Sequence, residues 1–377
     1  MHSKIFLLEL LGLVIGTLIL VACVPENANN VDSYYQKEYK YNEVKDSVDG
    51  QKYRAIQIGN QYWIVQNINR ETSKSVCDSC EIYGRIYNYE EAKNVCPSGF
   101  TLPTYADVEE LIKNTKEVNA WQSKKGWMKK GKDSFGFASI PGGFYSRADG
   151  IVKKRGEMVG YWLQDESDDF ALRWKISNQD SFVDVSALKK DYGFSVRCIS
   201  VGSSIQNNLV LIDERDLKFY KTIAIGTQTW MAENLKYKIK ESSCSKGEID
   251  KCENEGRLYR FWEAKKEKIC PKGWKIPSVG DWNKFFSFAN MRRKCESFGY
   301  EYEFGNECDY YVWNTANEKI KKIGLSGNYA TTGLTYFNRK GVEFDSHYCF
   351  HESSDGITAS DYCCQDVCED YVRCIKK

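Results

Sequence analysis

The chain repeats itself, and an internal repeat constrains the fold more tightly than composition can. Ile58-Gly59-Asn60-Gln61-Tyr62-Trp63-Ile64-Val65-Gln66-Asn67 returns as Ile225-Gly226-Thr227-Gln228-Thr229-Trp230-Met231-Ala232-Glu233-Asn234. Tyr83-Gly84-Arg85-Ile86-Tyr87 returns as Glu255-Gly256-Arg257-Leu258-Tyr259, and Cys96-Pro97-Ser98-Gly99-Phe100-Thr101-Leu102-Pro103 as Cys270-Pro271-Lys272-Gly273-Trp274-Lys275-Ile276-Pro277. Val196-Arg197-Cys198 closes the first copy and Val372-Arg373-Cys374 the second. The offset grows from 167 at Ile58 to 176 at Val196, so the copies differ by small insertions. Each copy is the size of one domain, which places two domains in the 377 residues, at 49–200 and 213–377, with 201–212 as linker.

Within a copy the elements can be read. Tyr53–Ile58 and Tyr62–Asn67 alternate apolar and polar positions around Gly59-Asn60, which predicts a β-hairpin, and Phe219–Ile225 with Trp230–Leu235 repeats it. Short helices are expected over Tyr89–Val95 and Phe261–Ile269. Thr104 with Asp107, and Ser278 with Asp281, look like capping-box variants opening a second helix, through about Asn114 in the first copy and over Trp282–Ala289 in the other. Glycines and aromatics then dominate (Gly142-Gly143-Phe144-Tyr145, Gly160-Tyr161-Trp162), the texture of short strands and long loops. The predicted class is α+β. Trp63 and Trp230, inside the repeated hairpin, are expected in the two cores.

Fifteen cysteines are too many for an ordinary reduced cytosolic chain and point to an oxidising compartment. Four recur at matching places: Cys77 with Cys244, Cys80 with Cys252, Cys96 with Cys270, Cys198 with Cys374. The neatest pairing is Cys96–Cys198 and Cys270–Cys374, each joining the end of the first helix to the last strand, which leaves Cys77–Cys80 and Cys244–Cys252 as local pairs. Cys77-x-x-Cys80 is also the spacing of a redox or zinc motif, but the second copy widens it to seven intervening residues, which a redox dithiol would not tolerate. Six further cysteines (Cys295, Cys308, Cys349, Cys363, Cys364 and Cys368) suggest three added bridges in the second copy, of undetermined connectivity.

The odd cysteine is accounted for at the N-terminus. Lys4 precedes an apolar run ending Leu20-Val21-Ala22-Cys23, which resembles a bacterial lipoprotein signal. That reading makes 1–22 a cleaved signal peptide, places acyl chains such as palmitate on Cys23, and makes membrane lipid a partner. An uncleaved signal anchor is the alternative, and Glu9 inside the run suits it worse. Val24 rather than Asp follows the cysteine, which favours the outer membrane. Residues 23–48 are polar without a periodic apolar face and read as a flexible tether.

No chemistry is signalled. The charge balance of 53 Lys+Arg against 52 Asp+Glu lacks the field of a nucleic-acid binder. His2, His347 and His351 are the three histidines, so the first copy has none for catalysis, and His347-Tyr-Cys349-Phe-His351 is a weak zinc candidate in a disulfide-rich segment. Asp165, Glu166, Asp168 and Asp169 contain the carboxylates of a glycosidase pair in principle, but such a run is ordinarily a solvated loop. Lys124, Lys125, Lys129, Lys130 and Lys132 surround Trp127 in a local basic patch, ordinarily solvated, with acidic polysaccharide or lipid headgroups as a minor alternative. No catalytic residue, metal or cofactor is assigned.

The repeated motifs, with Ile140-Pro141-Gly142-Gly143 and Tyr192-Gly193-Phe194-Ser195-Val196-Arg197-Cys198, resemble the Fibrobacter succinogenes major paralogous domain family over about 49–200 and, more loosely, 213–377. The family comprises exported bacterial domains of undefined activity, often on lipoproteins. The segment from Glu91 to Pro103 followed by a helix is also similar to the C-type-lectin and formylglycine-enzyme-like superfamily, which implies a lectin-like domain in each copy. The calcium-lectin tripeptides are absent, and so is the motif of a copper-dependent formylglycine oxidase. In that superfamily the late loop region binds ligands, which makes Trp162 and Trp174 the candidate ligand contacts. The resulting expectation is a non-catalytic cell-surface recognition or adhesion lipoprotein with a glycan or plant-fibre polysaccharide as partner. The alternative is a structural module that binds an envelope protein.

Overall fold

The computed structural model describes residues 31–113, 116–205, 210–288 and 369–377, together with seven short strands between 292 and 360. Residues 1–22 and Cys23 lie outside the described residues, as do His347 and the five cysteines Cys295, Cys308, Cys363, Cys364 and Cys368; of Cys349 and His351 only the backbone is described. Two compact units form, Met1–Gln164 with Ala171–Ile205, and Asp165–Phe170 with Gln206–Lys377. The class is α+β, with several small antiparallel sheets and few, short helices.

In the first unit, Lys52–Ile58 and Gln61–Ile64 form the hairpin around Gly59, whose φ of 58° suits a residue without Cβ. Their sheet runs in the spatial order Asn42–Lys45, Lys52–Ile58, Gln61–Ile64, Ile199–Ser200, Phe100–Thr101. The second unit keeps the order of the last four with Thr222–Ile225, Gln228–Met231, Ile375–Lys376 and Trp274–Lys275. The chain end therefore returns to the middle of the sheet it began, where Cys198 and Cys374 can reach the residues that follow the first helices. Cys96 bonds Cys198, Cys270 bonds Cys374, Cys77 bonds Cys80 and Cys244 bonds Cys252.

The helices are Tyr89–Ala92, Tyr105–Leu111, Phe261–Lys266 and Val279–Phe288, the first three shorter than their sequence signals suggest, with a further turn at Cys80–Tyr83 and a helix over Ile249–Glu255. Thr104 and Asp107 form a full capping box, and Asp281 accepts from the Ser278 backbone N–H at 2.9 Å. Trp63 is fully buried and Trp230 nearly so, in their respective cores.

One buried polar link recurs. Arg197 Nε donates to Asn67 Oδ1 at 3.0 Å, its guanidinium also donates to the Phe137 and Ala138 carbonyls, and Asn67 donates to the Tyr83 carbonyl at 2.7 Å. In the second unit Arg373 donates to Asn234 at 2.8 Å, which donates to the Glu255 carbonyl at 2.7 Å. This tie between the hairpin exit and the last strand explains why Asn and Arg recur in both copies. A buried guanidinium must find acceptors, and carbonyls supply them here.

Two boundaries move. Residues 31–48 are part of the first unit rather than a free tether. Val31–Tyr34 is a 3₁₀ turn, Asn42–Lys45 pairs with Lys52–Ala55, and Tyr34 and Tyr35 are buried. Tyr35 donates to the Val65 carbonyl (3.0 Å), Gln36 to the Asp133 carboxylate (2.8 Å), Tyr39 to the Asp133 carbonyl (3.0 Å) and Tyr41 to the Gly136 carbonyl (3.1 Å). The segment lacks an apolar stripe because tyrosines dock it, burying a ring while the hydroxyl finds an acceptor. At the other end the linker is shorter than 201–212. Ser204 and Ile205 bond to Asp107 of the first unit (2.6 and 2.7 Å), and Leu211–Asp213 pairs with Lys218–Tyr220 in the second.

Candidate functional site

Trp162 and Trp174 are not surface contacts. Both are fully buried, on the neighbouring strands Met158–Glu166 and Phe170–Ser177. Trp162 donates to the Tyr87 carbonyl (2.9 Å) and meets Tyr89 and Phe194 edge-on, while Trp174 packs on Phe137 and Tyr161. The glycine-aromatic texture there comes from packing, not from looping. A Cβ on Gly160 would lie 2.5 Å from the Phe194 ring, so the glycine admits the ring to the core.

A groove of about 500 Å³ lies elsewhere in the first unit. Four segments build it. Lys74 and Val76 come from the loop before the Cys77–Cys80 bridge; Ile86, Asn88 and Glu90 lead into the Tyr89–Ala92 helix; Tyr145 and Arg147 come from the Phe144–Ser146 hairpin strand and its turn; Lys190 to Gly193 approach the last strand.

Backbone pairing holds these segments in place. Val76 and Ile86 exchange hydrogen bonds at 2.8 and 3.0 Å, as do Tyr145 and Gly193 at 2.9 and 3.1 Å. Gly193 is required at that crossing, because a Cβ would sit 2.7 Å from Ile86 and 2.8 Å from Tyr145. Asn88 caps its helix by accepting from the Glu91 N–H at 3.0 Å, and the Tyr89 N–H reaches the Lys190 carbonyl at 3.0 Å. The Tyr192 ring lies against Phe144 and Phe194, so one wall is an aromatic stack that begins at the surface and ends in the core.

The charges in the groove are largely matched. Arg147 pairs with Asp191 at 3.2 Å. Glu90 accepts from Lys93 at 2.9 Å with Lys190 at 3.9 Å, and the Lys93 hydrogen bond holds the Glu90 carboxyl below the ordinary carboxylate range. The groove is thus lined by two half-buried tyrosines, an amide and several charged side chains. The Asp165, Glu166, Asp168, Asp169 run is not among the groove's lining; it spans a strand end and the turn Ser167–Asp169, with Asp165 buried.

Among the described residues, Cys77, Cys80 and Glu81 form a cluster with metal-ligand atoms within 4.8 Å of one another. Both sulfurs are joined in a disulfide, which removes the thiolates a zinc or redox site uses.

Tyr145 ends the Gly142–Tyr145 segment and Tyr192 opens the Tyr192–Cys198 motif, but neither is marked in the sequence as lining a groove. What the sequence held was Tyr192 beside Gly193, a glycine whose crossing with Tyr145 forms the wall. No helix among the described residues is long and apolar enough to cross a membrane.

A family model described as the Fibrobacter succinogenes major domain matches residues 56–200 and 223–376. No curated protein and no solved structure matches the chain.

Proposed function

Because the chain belongs to the Fibrobacter succinogenes major domain family, whose name carries no activity, we propose that it is a lipid-anchored envelope protein that recognises a surface glycan without transforming it. Acylation at Cys23 and export to the outer membrane rest on the Leu20-Val21-Ala22-Cys23 signal, and the four disulfides suit the oxidising compartment such a protein enters. A C-type-lectin-like ancestry is supported by the bridge from the first helix to the last strand in each unit, and by the small antiparallel sheets between them.

The observation that carries the reading is the groove walled by Tyr145 and Tyr192. Aromatic faces stack on the apolar faces of sugar rings, and Asn88, Arg147 and Asp191 lie beside them to meet hydroxyls. The test is retention of the chain from Val24 onward on a panel of insoluble polysaccharides, with Tyr145→Ala and Tyr192→Ala alongside. Retention on at least one polymer, weakened in both variants, is expected. No retention on any polymer would remove the glycan reading.

A further inference from the structure

The basic run noted in the sequence has a definite shape. Residues 121–132, Trp-Gln-Ser-Lys-Lys-Gly-Trp-Met-Lys-Lys-Gly-Lys, contain five lysines and no carboxylate. The loop is pinned from beneath. Trp127 is buried, its indole N–H donating to the Ser139 carbonyl at 2.8 Å; Ser123 bonds the Lys125 carbonyl at 2.7 Å; the Met128 N–H reaches Gly156 at 3.2 Å and the Lys132 N–H reaches Asn119 at 2.8 Å. Met128, between the buried Trp127 and Lys129, is nevertheless 77% exposed. Lys124 pairs with Glu38 and Lys132 with Glu117 at the two flanks, but among the described residues no carboxylate pairs with Lys125, Lys129 or Lys130, all exposed. The loop thus presents an exposed apolar side chain in a segment that carries three uncompensated cations.

The N-terminal segment leads to the same place. Tyr34 packs on Gly126, where a Cβ would come within 2.7 Å of its ring. Tyr34 lies eleven positions after Cys23, so a lipid on Cys23 keeps this loop within about 40 Å of the bilayer surface at full extension.

We infer that residues 124–132 are a membrane-docking loop, in which Lys125, Lys129 and Lys130 engage anionic phospholipid headgroups and Met128 enters the interface, setting the first unit on the membrane in a defined orientation. The tether argument rests on the lipoprotein reading; the loop's own affinity does not. Cations near an anionic surface act additively, each worth a factor of about five, so the three lysines together supply roughly 100-fold. The exposed methionine favours a bilayer over an acidic polysaccharide, which has no apolar layer for it to enter.

The chain from Val24 onward keeps every described residue, and sedimentation with vesicles measures the loop without the lipid. Binding is expected to vesicles of two parts phosphatidylcholine to one part phosphatidylglycerol and not to phosphatidylcholine alone. Lys125→Gln/Lys129→Gln/Lys130→Gln should lower that affinity roughly 100-fold, and Met128→Ser should lower it severalfold while leaving the circular dichroism unchanged. Equal binding to both vesicle types, no binding to either, or indifference to the triple variant would overturn the inference. Tighter binding to soluble polygalacturonate than to vesicles, unaffected by Met128→Ser, would also overturn it and reassign the loop to an acidic polymer. Mass analysis of Cys23 in protein extracted from membranes tests the anchor separately, so the loss of one reading does not masquerade as the loss of the other.

Discussion

The four disulfides among the described residues close loops of very different length, and that difference predicts their relative worth. Cys96–Cys198 and Cys270–Cys374 span 102 and 104 residues, whereas Cys77–Cys80 and Cys244–Cys252 span 3 and 8. In the loop-entropy account the two long bridges each restrict the unfolded chain by about 4.7 kcal/mol, against about 1.6 and 2.5 kcal/mol for the short ones. The long bridges also tie together buried parts of each core, since Cys198 and Cys374 are fully buried.

Cys96→Ala/Cys198→Ala should therefore lower the first unit's melting midpoint by roughly 10–20 °C, given 2–4 °C per kcal/mol for a domain this size. Cys77→Ala/Cys80→Ala should lower it by about a third of that. The assay is paired thermal and denaturant unfolding of the oxidised proteins, with Trp fluorescence and far-ultraviolet circular dichroism followed together so that the two units' transitions are separated. Equal losses from the long and short bridges in the first unit would refute the reasoning, because loop length would then not govern the effect. A large loss from Cys77→Ala/Cys80→Ala alone would point instead to the loop before the bridge as a cooperative part of the core.

Gly84→Ala should cost about 2–4 kcal/mol, because the new Cβ would lie 2.6 Å from Asn67 Cβ at a φ of +70°, and Gly256→Ala should do the same to the second unit against Asn234 at 2.5 Å; Gly59→Ala, with nothing within 4 Å of its Cβ, should cost only about 1–2 kcal/mol by chemical denaturation. Arg197→Met should cost at least about 2 kcal/mol, and Arg197→Lys should recover little of it, since an ammonium cannot reach Asn67 and two carbonyls in the fork that the guanidinium spans. Burial pushes the Tyr34 and Tyr53 hydroxyls up to about 12 from an ordinary value of 10. Their contribution to stability is complete below pH ~10 and lost as pH rises through ~12, so unfolding should steepen across that window together with tyrosinate absorbance. Tyrosines that all titrate near pH 10 in a folded protein would contradict the burial.

Much of the frame was legible because it was written twice. A hairpin turn at Gly59 and Gly226, helix starts at Thr104 and Ser278, and cysteines at matching positions are local signals, and their recurrence separates a structural requirement from chance. Asn67 and Arg197 recur as well, yet their partnership was invisible until the last strand was laid beside the hairpin exit, because it joins residues far apart in the chain.

The departures of the structure from the sequence pattern have one physical source. Polarity in residues 31–48 looked like solvation, but the polar atoms there are tyrosine hydroxyls and a glutamine amide aimed at Val65, Asp133 and Gly136, acceptors supplied by other segments. Glycine and aromatic density around Gly160 and Trp162 looked like a loop, but the glycine makes room for Phe194. Side chains that pack by admitting one another carry no period that a sequence can display.

From the sequence alone follow the duplication, the α+β class, the lipid-signal expectation and the recurrence of four cysteines in each copy, since each depends on short-range spacing or on comparing one copy with the other. Only the tertiary structure decides that Trp162 and Trp174 are core, that Tyr145 and Tyr192 line the groove, and that Met128 stands exposed among unpaired lysines. Exposure is a property of what the rest of the chain covers, and covering is settled by long-range packing.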